Sequence, residues 1–130
     1  MKPEREEYDI ILSDVYDLHQ ELEKCLVVKS GIRDKSLIES AVGAVLQMDA
    51  YGQFPTIFHK AARLCHGIAC NHGFVDGNKR TGLFSMLTFL RVNDIKLRYT
   101  DDEMEDAIIN LVEQKLTYEE FAEWLITKQV

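Results

Sequence analysis

The stretch "HGFVDGNKRTGLFSM", His72 to Met86, decides how the rest of the chain is read. Asp76-Gly77 marks a turn, and Asn78 opens a helix whose apolar run begins at Leu83. Lys79 and Arg80 then fall in the first turn of that helix. There the backbone dipole is already positive, and each exposed cation is unfavourable by about 0.3–1 kcal/mol. The chain as a whole is acidic, with 22 Asp and Glu against 15 Lys and Arg and a formal charge of −7. Two cations concentrated where they cost stability point to an anion that rests on them.

The first turn of a helix also has N–H groups without intrahelical partners, and a preceding glycine lets a ligand approach the backbone. "GNKR" therefore offers main-chain donors, a small amide and two positive charges around one spot, which suits a phosphate chain. Asp76 beside phosphates would repel them unless a divalent cation lay between. Mg²⁺ held by one carboxylate and phosphate oxygens is the usual arrangement. A histidine is the side-chain type suited to proton transfer near neutral pH, so His72, four residues earlier, can take a proton from a hydroxyl nucleophile. A base, a metal-binding acid and an anion nest, in that order, are the parts of phosphoryl or nucleotidyl transfer.

Working outward, "IFHKAARLCHGIACNH" places Ile57, Ala61, Leu64, Ile68 and His72 on one helical face, with the imidazole at its C-terminal end. The residues after Asn78 point apolar groups in nearly every direction, which predicts the central buried helix. Asn93-Asp94 ends it, and "IKLRY" is an extended connector. Thr100 with Glu103, and Thr117 with Glu120, are capping-box pairs that open two more helices. Upstream, Ile11, Val15, Leu18, Leu22 and Leu26 form one helical stripe. A further helix to about Met48 follows an N-cap at Asp34, or at Ser36 with Glu39. "DAYGQFPT" interrupts the pattern as a loop or short hairpin. The expectation is an all-α, single compact domain of about six helices, spanning 10–128 behind a charged segment 1–9.

The length of 130 residues suits one domain, and 46% hydrophobic with 28% charged residues is ordinary globular composition. The acidic balance argues against a broad nucleic-acid or membrane surface. Cys25, Cys65 and Cys70, three in number, sit in apolar helical patterns and are expected to be reduced core residues of a cytoplasmic protein. The longest nearly apolar run, "LFSMLTFL", is too short to span a bilayer.

"HGFVDGNKR" resembles the signature of the Fic/Doc family, His-x-Phe-x-Asp/Glu-Gly/Ala-Asn-Gly/Lys-Arg. "GIRDKSLIESAV", "YGQFPTIFHKAA" and "DGNKRTGLFSMLTFLRVND" are similar to its death-on-curing (Doc) branch. The resemblance implies transfer of a phosphate-containing group from ATP, with Mg²⁺, to a hydroxyl of a protein target. His72 matches the catalytic base and Asp76 the metal ligand. Gly77, Asn78 and Lys79 match the anion hole, Arg80 the phosphate-binding arginine, and Phe74 the buried aromatic that anchors the loop. Tyr51, Gly52, Gln53, Phe54, Pro55 and Thr56 fall where relatives carry a flap that docks the target chain.

Lys79 stands where AMP-transferring relatives usually have glycine, and Leu83 where they have a second arginine. Both substitutions resemble Doc, which favours γ-phosphate transfer (a protein kinase reaction) over AMP transfer. Gly73 stands where proline is common. The self-inhibitory pattern Ser/Thr-x-x-x-Glu-Gly/Asn does not occur in the sequence. The resemblance then implies a toxin controlled by a separate antitoxin protein, with a translation elongation factor as the target class. The alternatives are an AMP transferase of the same fold and a non-catalytic helical binding module. No direct nucleic-acid or membrane partner is expected.

Overall fold

The computed structural model describes residues 3–48 and 56–130. Six α-helices follow one another: α1 Pro3–Lys24, α2 Lys35–Gln47, α3 Ile57–Asn71, α4 Asn78–Val92, α5 Asp101–Val112 and α6 Tyr118–Thr127. The all-α expectation holds. The charged stretch ahead of the domain is, from Pro3 on, the opening of α1.

The predicted helix starts are found with their bonds made. Asp34 caps α2, accepting from the Ser36 N–H at 3.0 Å and the Ser36 hydroxyl at 2.6 Å. Both capping boxes close reciprocally, Thr100 with Glu103 and Thr117 with Glu120. Each such cap satisfies donors that the helix cannot. Thr56 caps α3 by accepting from the His59 N–H at 3.2 Å. The other expected flap residues, Tyr51, Gly52, Gln53, Phe54 and Pro55, lie outside the described residues.

The centre of the bundle is α3, which packs against α2, α4, α5 and α6, while α1 lies across α2 and α4. The sequence pattern predicts α4 there, and three of its apolar side chains explain the difference. Phe84 and Val92 face solvent, and Leu83 is only half-buried. A helix becomes central by being approachable rather than by being bulky. Buried Ala61, Ala62, Gly67 and Ala69 let neighbours close on α3. At Gly82 of α4 a Cβ would stand 2.9 Å from the Cys65 carbonyl, so only glycine lets α3 and α4 approach this closely. Phe58, Leu64, Met86, Leu90, Leu111, Phe121 and Leu125 fill the space between the helices. Burying each contributes about 1.5–3 kcal/mol.

Two further expectations fail at the end of α1. The helix stops at Lys24, and Leu26, predicted on the buried stripe, has left-handed φ 57° and is 90% exposed. Cys25, predicted in the core, is exposed for the same reason, whereas Cys65 is buried and Cys70 half-buried. The chain turns out here because residues 27–34 run back along the 72–76 loop. Among the described residues no helix is long and apolar enough to cross a membrane.

Candidate active site

Residues 72–77 link α3 to α4 and form an ordered loop held almost wholly through its backbone. His72 ends α3 in the left-handed conformation, φ 55° and ψ 44°. A non-glycine residue there carries strain, so the surroundings must impose it. Arg33 does so: its Nε donates to the His72 carbonyl at 2.6 Å, and Nη2 to the Asn71 carbonyl at 3.4 Å. The Arg33 and Asp34 N–H groups both donate to the Gly73 carbonyl, at 2.8 and 2.9 Å. Phe74 pairs with Ile32 in an isolated antiparallel bridge, and the Val75 N–H donates to the Gly31 carbonyl at 3.0 Å.

Phe74 is 2% exposed, and its ring stacks on the His19 imidazole with centroids 3.8 Å apart. Asn78 Oδ1 accepts from the Phe74 N–H at 2.9 Å and its Nδ2 donates to the Phe74 carbonyl at 3.1 Å. The amide group is thereby committed to closing the loop, and what Asn78 offers the cleft is its main-chain N–H.

Gly77 precedes α4 with φ 78°, and a Cβ on it would meet the Val28 side chain at 2.5 Å. No side chain caps this helix. The first intrahelical bond runs from the Thr81 N–H to the Gly77 carbonyl at 2.9 Å. The N–H groups of Asn78, Lys79 and Arg80 therefore have no intrahelical acceptor. Lys79 and Arg80 are exposed and, among the described residues, form no ion pair.

His72, Asp76, Gly77, Asn78, Lys79 and Arg80 all line one open cleft of about 540 Å³, with Val28 and Val75 on its walls. His72 is exposed. Lys79 and Arg80 also line a second cavity of about 540 Å³ between α4 and α5, whose apolar walls include Leu83, Phe84, Tyr99 and Met104. A groove of about 330 Å³ between α1 and α4, lined by Ile10 and Phe89, contains none of the predicted residues.

Asp76 is tied at two points. Its Oδ2 accepts from the Lys29 N–H at 2.9 Å, and its carbonyl accepts from His19 Nε2 at 2.8 Å. The Lys29 amide, helped by the Gly77 amide, holds its carboxyl below the usual carboxylate range. The group is thus anionic at neutral pH, as a metal ligand must be. Among the described residues no three His, Cys, Asp or Glu side chains gather into a metal cage. One ionised carboxylate beside the free N–H groups of a helix start fits a Mg²⁺ that would take phosphate oxygens as its other ligands.

His19, Glu23, Lys29 and Arg33 were not singled out from the sequence. Lys29 and Arg33 act on the loop 39 to 47 residues away, Lys29 through its main-chain N–H. Such pairings leave no local pattern. His19 did leave one: it follows Ile11 and Val15 at intervals of four on the buried face, with Glu23 four further on.

A profile of the Fic/DOC family matches residues 9–90. Over 81 residues, 59% of the chain, the sequence is 40% identical to Toxin Doc of Mycolicibacterium smegmatis. That match spans 62% of the relative's own length. Over 95 residues, 73% of the chain, it is 30% identical to Protein kinase doc of Escherichia phage P1, spanning 75% of that relative. The family match ends within α4, so α5 and α6 lie beyond it.

Proposed function

The chain belongs to the Fic/DOC family, and from that premise we propose that it is a Doc-like toxin of a toxin–antitoxin pair. In this reading it is a cytoplasmic phosphotransferase that moves the γ-phosphate of ATP to a hydroxyl of a protein target. The observation that carries the reading is the single cleft. It brings an exposed His72 and an anionic Asp76 to the uncapped, cation-bearing start of α4.

In the proposed reaction His72 takes the proton of the target hydroxyl as its oxygen bonds to the γ-phosphorus. The bond from that phosphorus to the bridging oxygen breaks, and ADP leaves with the electron pair. The α4 N–H groups, Lys79 and Arg80 hold the polyphosphate charge. Asp76 holds Mg²⁺, which neutralises phosphate charge when bound. The cavity continuing from Lys79 and Arg80, where Leu83, Phe84 and Met104 stand beside Asp101 and Glu105, gives room for the rest of the nucleotide. Leu83 lines that cavity and offers no second phosphate contact, which favours γ-phosphate over AMP transfer. A translation elongation factor is the proposed target and an antitoxin encoded beside the gene the proposed regulator.

Incubation with a cell lysate and either γ-labelled or α-labelled ATP tests this. Protein labelled only from the γ position is the expected result. Label only from the α position would replace the kinase reading by AMP transfer. No transfer from either, with unchanged growth inhibition by His72→Ala, would leave a binding module.

A further inference from the structure

We infer that His19 is a positioning residue for Asp76, acting from α1 on the metal-binding carboxylate; the inference rests on the nucleotide-site reading above. The side chain is 2% exposed. A buried imidazole costs free energy unless its nitrogens are satisfied. Here both are. Nδ1 lies 3.1 Å from Glu23 Oε2, and Nε2 lies 2.8 Å from the Asp76 carbonyl. The Asp76 carbonyl can only accept, so Nε2 is the donor in that bond. Glu23 is itself fixed, since its Oε2 also accepts from the Gly31 N–H at 2.9 Å. The Phe74 ring lies flat on the imidazole, 9° from parallel, and Tyr16 meets the same Phe74 edge-on.

A rigid series of contacts therefore runs from the 29–31 segment through Glu23 and His19 to the backbone of Asp76. Lys29, in the same segment, holds the Asp76 carboxylate directly. With carbonyl and Oδ2 both fixed, the orientation of the Asp76 carboxylate at the edge of the cleft is determined. His19 does not line that cleft; it lines a separate cavity with Tyr16, Gln20 and Lys35. A purely structural residue in this place could be apolar, like Ile11 and Val15 on the same face. An apolar side chain would leave the Asp76 carbonyl without its donor.

Two near-isosteric substitutions separate positioning from packing. His19→Gln keeps a donor where Nε2 stands, and His19→Asn keeps one only where Nδ1 stands. Both should lower thermal stability. Calorimetry with Mg²⁺–ATP should find binding near wild type in His19→Gln and weakened about tenfold or more in His19→Asn, as for other groups that orient a metal ligand. Hydrogen exchange of the Lys29 amide, which donates to Asp76, should follow the same order, with protection falling about tenfold in His19→Asn alone. Equal behaviour of the two variants in both measurements would overturn the proposal. A wild type that binds no Mg²⁺–ATP sinks the nucleotide-site reading instead, and the Lys29 exchange comparison still decides whether His19 positions Asp76. If neither variant folds, Glu23→Leu removes the acceptor that orients the ring. Weakened Mg²⁺–ATP binding or lost Lys29 protection then supports the proposal, and no change in either refutes it.

Discussion

The N-termini of α4 and α5 face the same physics and answer it in opposite ways. At α5, Thr100 and Glu103 close a capping box at 3.1 and 3.4 Å, and Asp101, Asp102 and Glu103 set three carboxylates in the first turn. Its orphan donors are partly satisfied and its positive dipole end meets negative charge. At α4 the cap is glycine, no side chain bonds to the first turn, no acid stands there, and two cations do. The same contrast holds against α6, capped by Thr117 and Glu120 with Glu119 beside them. A chain that caps α5 and α6 in this way does not lack the means to cap α4. On the proposed reading, the difference separates helix starts that serve only stability from one left open for a phosphate ligand.

The largest test of that contrast removes the base and leaves the nest. His72→Ala should lower the phosphotransfer rate by about 10²–10⁴-fold, the usual contribution of a positioned general base. Mg²⁺–ATP should still raise the melting temperature, because α4 is untouched. If binding vanishes with the imidazole, the cleft is not divided into a nest at α4 and a base at the end of α3.

Next in size is Arg80→Ala. A charge-assisted contact to a phosphate contributes about 1.5–3 kcal/mol. Most of the stabilisation by Mg²⁺–ATP should therefore disappear. The melting temperature without ligand should not fall and should rise slightly, since Arg80 makes no ion pair among the described residues and its removal takes a cation from the positive end of the α4 dipole. Equal ligand-induced shifts in Arg80→Ala and wild type would place the phosphate site elsewhere.

The helix starts were legible in the sequence because caps are local. Asp34, Thr100 and Thr117 each bond two or three residues away, so their spacing announces them. The crowding of Lys79 and Arg80 behind a glycine was legible for the same reason. Depth was not. A 3.6-residue stripe reports which face is buried, but not which helix is surrounded. That was decided by Ala61, Ala62, Gly67 and Gly82, whose small size carries little hydrophobic signal. The clamp on the loop was hidden too. Lys29, Arg33 and Asp34 grip residues 72–76 largely through main-chain N–H groups, which every residue but proline possesses. Asn78 shows the limit of motif reasoning: its place in the motif suggested an anion contact, while its side chain is spent on Phe74.

A smaller effect is expected on the other side of the comparison. Thr100→Ala removes the acceptor for the Glu103 N–H and should cost about 1 kcal/mol of folding stability. Chemical denaturation would measure it. The affinity for Mg²⁺–ATP should be unaltered, since Thr100 lines neither the cleft nor the α4–α5 cavity. A change in affinity would mean that the two helix starts are coupled, and that the division between stability and binding is wrong.

The smallest effect is the most discriminating, because its sign differs between the two states of the protein. Lys79→Glu makes the start of α4 resemble the start of α5. Without ligand, a carboxylate replaces a cation at the positive end of the dipole, and the fold should gain about 0.3–1 kcal/mol, less at high salt. With Mg²⁺–ATP the same carboxylate faces phosphate, and affinity should fall. The two melting curves should therefore cross over, the variant melting higher alone and lower with nucleotide. If Lys79→Glu is destabilising in both conditions, the cation is paying no stability penalty at α4. Lys79 would then be an ordinary solvated side chain, and the contrast with α5 would say nothing about a ligand.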